Sequence, residues 1–264
     1  MRRSIIKAKL ANNEPVLVTT LHLTDPSLYE LVGLMGFDGI WMDLEHHAYS
    51  VETADGLMRA SRVGRTDIVA RPAKGEFMRM GRLLEAGATG ILYPRCSGAQ
   101  EATAVVRWAK FHPQGERGFD GGNGDMPYCT MDMKEYVRLA NEETFVAVQI
   151  EDPHALQEVE AMGSVDGVDV LFLGPGDFSI LSGVPGDFNH PTVQAAVESV
   201  AQAAKNTGKA WGMPAFSLDH ARQLVHLGAR FIAHGADIVM VKRALEAMQK
   251  DFAPLGFRFD SQLG

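Results

Sequence analysis

Short apolar runs recur along this chain, each followed by a stretch with helical spacing, and that alternation constrains the fold more than any other feature. The runs span 16–20, 39–43, 67–71, 90–94, 145–151, 168–173, 209–213 and 230–234, eight in all. Between them lie segments such as 76–86, where Phe77, Met80, Leu83 and Leu84 share one helical face. Another helix is predicted to begin at Asp25-Pro26, a capping side chain followed by proline in the first turn. Near-continuous apolar strands joined by helical crossovers imply a parallel sheet covered on both faces. Eight such units in 264 residues predict an α/β protein, a (β/α)8 TIM barrel occupying the whole chain, 1–264, as one domain. A doubly wound open sheet would place a glycine-rich phosphate loop after the first strand; His22-Leu23-Thr24-Asp25-Pro26 stands there instead. The connection between strands four and five is extended. About fifty residues separate Arg95 from Thr144, room for helices over 99–111 and 133–140 and a glycine-rich loop over 115–124, the dimensions of a lid, interface element or flap.

Composition narrows the partners. With 33 Asp+Glu against 25 Lys+Arg, the formal net charge is -8, so the chain lacks the basic balance that a nucleic-acid backbone demands. Cys96 and Cys129 form no Cys-x-x-Cys pattern, which argues against a structural zinc site or a disulfide framework. Ile5-Ile6 is too short for a signal peptide, and no uncharged run approaches the ~18 residues of a membrane span. The expectation is a soluble, cytoplasmic protein without nucleic-acid or membrane partners.

In such a barrel, reactive groups belong at the carboxyl ends of the strands. Strand two runs into Asp43-Leu44-Glu45-His46-His47, strand three into Arg71-Pro72, strand five into Gln149-Ile150-Glu151 and strand six into Gly174-Pro175-Gly176-Asp177. Four of the eight ends thus deliver ionisable groups to one mouth. Glu151 and Asp177 come from adjacent strands, and two hard oxygen ligands with the other positions left to water and substrate suit Mg2+ or Mn2+, with Co2+ a further candidate. The alternative is two solvated loop carboxylates. His46, three residues beyond Asp43, can be held in one tautomer by that carboxylate and take a proton. His47 has no comparable partner by spacing and is expected to be structural. Arg71 ends an apolar strand and needs an anion, either Glu45 or a substrate oxygen that turns negative during reaction. The Gly174–Asp177 turn offers main-chain N–H groups to a carboxylate. Lys74, the one lysine just past a strand end, has no apolar run to desolvate it, which disfavours imine chemistry; no Gly-x-Ser-x-Gly elbow exists either.

Gly36-Phe37-Asp38 leading into Asp43-Leu44-Glu45-His46, then Arg71-Pro72 and Leu84-Glu85-Ala86-Gly87-Ala88, resembles the HpcH/HpaI family of class II aldolases. So do Pro113-x-Gly115-x-Arg117-Gly118, Gln149-Ile150-Glu151 and Gly174-Pro175-x-Asp177-x-Ser179, and the similarity runs from about residue 14 to residue 250. The resemblance implies a lyase that reversibly cleaves a 4-hydroxy-2-oxo acid to pyruvate and an aldehyde with a divalent metal. Carried over by position, Glu151 and Asp177 bind the metal, Arg71 stabilises the enolate, and His46 paired with Asp43 handles the proton. Gln149 supports the keto acid, and the amides of Gly176 and Asp177 hold its carboxylate. Members of the family are commonly homohexamers that exchange the last helix, here 237–249. Oxaloacetate decarboxylation, CoA-ester lysis on the same site, or non-catalytic binding of a 2-oxo acid are the competing readings. Asn123-Gly124-Asp125, where the family often carries a small-Arg-small stretch, Pro214 where it often carries an apolar residue and Thr19-Thr20 without a large aromatic suggest an altered aldehyde side. A neutral or hydroxylated aldehyde is the expectation.

Overall fold

The computed structural model describes residues 2–260. Strands β1 (Val16–Leu21), β2 (Gly39–Asp43), β3 (Asp67–Arg71), β4 (Gly90–Tyr93), β5 (Phe145–Ile150), β6 (Val170–Leu173), β7 (Ala210–Pro214) and β8 (Phe231–Ala236) close in chain order into a parallel barrel. The two-residue period of each strand sorts its side chains. Val16, Val18, Trp41, Val69, Leu92, Phe145, Ala147, Phe172 and Phe231 fill the interior, whereas Ile40, Met42, Ile68, Ile91, Val146, Val148 and Leu171 pack against the helices. Both faces are buried, which is why the strands read as apolar runs rather than as alternating ones.

The amino-terminal end of the barrel is closed by a short helix, Ile5–Ala11, that the sequence pattern did not announce. The Ser4 hydroxyl donates to Asp67 Oδ2 at 2.6 Å and the Ile6 N–H to the same oxygen at 2.9 Å. That anchoring drives Ile6, fully buried, into the interior cluster. Gly39 leaves the space, since a Cβ on it would stand 2.7 Å from Ile6 Cδ1.

Between β4 and β5 the chain forms the helix Ala99–Ala109, a 3-10 turn over Pro127–Cys129 and the helix Met133–Glu143. The intervening loop lies at the amino-terminal end of the barrel. Asp125 N donates to the Glu85 carbonyl at 3.1 Å, and Arg59 Nη1 to Tyr128 Oη at 2.6 Å; both partners sit in the final turns of the helices that lead to β3 and β4. The physical reason is length: eleven helical residues carry the chain roughly 16 Å back down the barrel before the loop begins. Asp125 is buried there, accepting from Tyr136 Oη at 2.8 Å with Arg117 at 3.9 Å. In its own chain it faces away from the mouth, contrary to the expectation that it lines the aldehyde side.

The last helix, Asp237–Phe252, is amphipathic in sequence but buries only Asp237. Ile238, Val241, Leu245, Met248 and Phe252 stand exposed. Beside it a groove of about 640 Å³ opens, its lining including Leu17, Phe37, His234, Val239, Met240 and Arg243. No helix among the described residues is long and apolar enough to cross a membrane.

Candidate active site

Strand parity builds the site. Trp41 and Val69 point into the barrel, so Asp43 and Arg71, two residues further on, point into its mouth; β5 repeats the pattern from Ala147 through Gln149 to Glu151. Asp43 and Arg71 are register partners across β2 and β3, and their side chains meet in a two-point pair. Arg71 Nε donates to Asp43 Oδ1 at 2.9 Å and Nη2 to Oδ2 at 2.6 Å. Glu45 Oε2 adds a second carboxylate at 3.3 Å from Nε, and the guanidinium lies 4.7 Å above the Trp41 ring. Glu45, the protein anion expected for Arg71, thus takes only the flank, and the direct grip belongs to Asp43. Trp41 and Phe172, packed edge to face at 5.7 Å, give the mouth an aromatic floor that Thr19-Thr20 alone did not suggest.

Gln149 ties the two halves together. Its Oε1 accepts from Arg71 Nη1 at 3.4 Å, and its Nε2 donates to Glu151 Oε1 at 3.2 Å. The other Glu151 oxygen accepts from the main-chain N–H of Arg95 at 2.7 Å, a residue held at φ 49° just after β4. Gly174 allows Glu151 to lie against the β6 exit, where any Cβ would collide with its carboxylate. From that turn the helix Pro175–Leu181 begins, with Asp177, half-buried, in its first turn. The first-turn amides, Gly176 and Asp177 among them, have no carbonyl a turn earlier to bond.

Charge is unbalanced here. Asp43, Glu45, Glu151 and Asp177 share the mouth with the buried Arg71 guanidinium. Burial would raise Asp43, but the hydrogen bonds from Arg71 and from the N–H groups of Glu45 and His46 hold it below the usual carboxylate range. Glu45 is raised, mainly by burial, and its buried Oε2 has no hydrogen-bond partner. Glu151 is pushed up to about 7 by burial, with the like charges of Glu45 and Asp177 adding to the shift. An excess of hard oxygen atoms, with Gly174 making room for the Glu151 carboxylate, fits a divalent cation. Among the described residues no group of three or more His, Cys, Asp and Glu is arranged to hold a metal; Glu151 and Asp177 offer two oxygen donors and leave the other positions open.

The histidines depart from the expected pairing. The His46 ring is 57% exposed and faces Glu45 Oε2 at 3.6 Å, touching Asp43 only through its main-chain N–H at 3.4 Å. His47 instead brings Nε2 to 3.8 Å from Asp43 Oδ2. The chain turns as Asp43 Oδ1 accepts the N–H groups of Glu45 and His46, and this turn directs residue 47 back toward the carboxylate. Behind His47 stacks His22, at the exit of β1, and behind that lies Asp237. Neither His22 nor Asp237 was singled out from sequence. They meet only because β8 closes on β1, a contact between positions 215 apart. Lys74 is exposed and bound to Glu101 at 3.0 Å.

Known proteins share this arrangement of sequence and fold. The HpcH/HpaI aldolase/citrate lyase family model matches residues 18–244. A hydroxypyruvate/pyruvate aldolase of Pseudomonas aeruginosa is 31% identical over 246 residues, 93% of this chain and 91% of that protein. A 4-hydroxy-2-oxo-heptane-1,7-dioate aldolase of Escherichia coli is 32% identical over 246 residues, 93% of this chain and 94% of its own. The crystal structure of an HpcH/HpaI aldolase from Desulfitobacterium hafniense DCB-2 superposes with a TM-score of 0.89 at 28% identity, covering 95% of this chain and 97% of that one. With the family model running through every strand end that forms the mouth, the chain belongs to the HpcH/HpaI aldolase/citrate lyase family.

Proposed function

We propose that the protein is a divalent-metal-dependent aldolase that reversibly cleaves a 4-hydroxy-2-oxo acid to pyruvate and an aldehyde. The observation that carries this reading is the buried Glu151 carboxylate, set with Asp177 across from the Asp43–Arg71 pair. Glu151 and Asp177 hold the ion, Mg2+ or Mn2+ by donor type. When bound, it withdraws electron density from the 2-oxo acid and so eases loss of a proton from C3 or cleavage of C3–C4.

The chain's own groups do the rest. The amides of Gly176 and Asp177 receive the substrate carboxylate, and Gln149 supports the keto group from the floor of the mouth. Arg71 faces the oxygen on which enolate charge grows, an interaction that strengthens along the reaction and therefore accelerates it. Asp43 holds that guanidinium in place through two hydrogen bonds. On cleavage the C4 hydroxyl loses a proton and C3 gains one. Proton handling belongs to the imidazoles beside Asp43, with His46 placed to serve the outer part of the mouth. The surplus of carboxylates disfavours an acidic aldehyde, so the acceptor side takes neutral or hydroxylated aldehydes. Assembly is part of the proposal: the exposed apolar face of Asp237–Phe252 is covered by a second copy of this chain, in a hexamer.

Pyruvate methyl-proton exchange in deuterated buffer with Mg2+ or Mn2+ tests enolate formation directly. Arg71→Ala lowers exchange at least about a hundredfold while leaving metal affinity nearly intact. A wild-type protein that binds pyruvate and metal yet never exchanges those protons is a binding protein, and the aldolase reading fails.

A further inference from the structure

The mouth holds two imidazoles that the chemistry above leaves unassigned or shares. His22 and His47 lie with ring centroids 4.3 Å apart and planes inclined by 35°. Each has its own carboxylate: His47 Nε2 is 3.8 Å from Asp43 Oδ2, and His22 Nδ1 is 3.6 Å from Asp237 Oδ1. Asp237 is itself immobilised, buried and accepting the N–H groups of His22, Leu23 and Ile238 at 2.7–2.9 Å. A continuous row results, Asp237–His22–His47–Asp43–Arg71, running from the exit of β8 to the exit of β3.

The two rings are tilted against each other and no hydrogen bond joins them; what they share is a field. Two imidazolium charges at this spacing repel by several times the thermal energy. The groups around His22 are His47, Asp237, Asp43 and Arg71, and burial together with His47 holds it below its ordinary value. The hydroxyls of Tyr29 and Tyr49, near the same carboxylates, are pushed up by burial and stay neutral. His46 turns its ring to Glu45 instead. The spacing of the two stacked rings opposes a second positive charge on the pair.

Asp43 is where the pair meets the catalytic machinery, because its Oδ2 accepts Arg71 Nη2 at 2.6 Å and also faces His47. We infer that His22 and His47 are paired positioning residues for Asp43 and Arg71. Stacked, with no more than one proton between them, they brace the Asp43 carboxylate in the plane that aims Arg71; doubly charged, they separate and release it. The kinetic side of this inference rests on the aldolase reading, whereas its titration side does not.

Ring Cε1–H NMR of the metal-free protein reads the coupling. The wild-type His22 midpoint lies below the ordinary imidazole value, and His47→Phe, which keeps a ring without charge, raises it by about half a pH unit or more. An unmoved midpoint overturns the coupling. Pyruvate exchange at saturating metal reads the positioning. His22→Ala slows exchange about tenfold near neutral pH, and His22→Phe recovers most of that loss. The wild-type acid limb, set by the second charge on the pair, moves to lower pH or vanishes in the Phe variant, which cannot carry both charges. Equal loss in the two variants, or an acid limb in the same place, overturns the positioning role. Should wild type itself fail to exchange, the aldolase reading fails and the titration alone decides the pair.

Discussion

Glu151 is placed for binding at the expense of stability. Its carboxyl is pushed up to about 7 from 4.5, so the folded protein holds that proton more tightly than the unfolded chain does. The sign follows: the penalty is absent below pH 4.5, grows as pH rises through the folded value and is complete above it. In the metal-free protein it is on the order of 3 kcal/mol. Glu151→Gln removes the titration, so the variant gains thermal stability over wild type as pH rises from about 5 to about 8, while Mn2+ affinity by calorimetry drops at least about tenfold. The variant-minus-wild-type difference is the quantity to follow, because Asp67 (about 6) and Lys110 (about 7) titrate in the same window. Unchanged Mn2+ affinity would show that Glu151 is no ligand. Much of this residue scale was legible beforehand. Strand parity alone brings Asp43, Arg71, Gln149 and Glu151 to one opening, since each lies two residues beyond an inward side chain. The histidines were not legible. Whether residue 46 or 47 turns to Asp43 depends on a turn set by main-chain hydrogen bonds to that same carboxylate, and spacing along the chain carries no record of it.

At the scale of elements, what matters is how closely one strand exit lies against the next. Gly174 ends β6 where Glu151 leaves β5, and a Cβ there has nowhere to go but into the carboxylate. Gly174→Ala therefore displaces Glu151, costing about 1–3 kcal/mol in thermal or urea unfolding and weakening Mn2+ binding in the same variant. Gly176→Ala is its control, since a Cβ at that position meets open space, and it should leave unfolding within about 0.5 kcal/mol of wild type. The glycines were visible as a turn, but the neighbour they make room for was not. Likewise the helix Ala99–Ala109 was expected, yet its direction decides that the loop after it, Asp125 included, lands at the far end of the barrel. Short apolar segments such as Ile5-Ile6 carry too little pattern to be placed from sequence, because a single buried contact with Asp67, sixty-one positions away, fixes them.

For the whole molecule, eight strands in chain order followed from eight runs, because a parallel barrel allows few other ways to bury both faces of each strand. The last helix is the exception to that self-sufficiency. A helix that exposes Ile238, Val241, Leu245, Met248 and Phe252 beside an open groove is incomplete alone, and native mass spectrometry is expected to report a hexamer. Removing residues after 237 should shift the protein to smaller species; an intact chain that remains monomeric at micromolar concentration would contradict the assembly. The seal that Ile6 makes against Gly39 bears on traffic through the molecule. With one end stoppered, everything enters and departs by a single doorway, so whichever of two products lies nearer the stopper must wait for the other to clear the threshold.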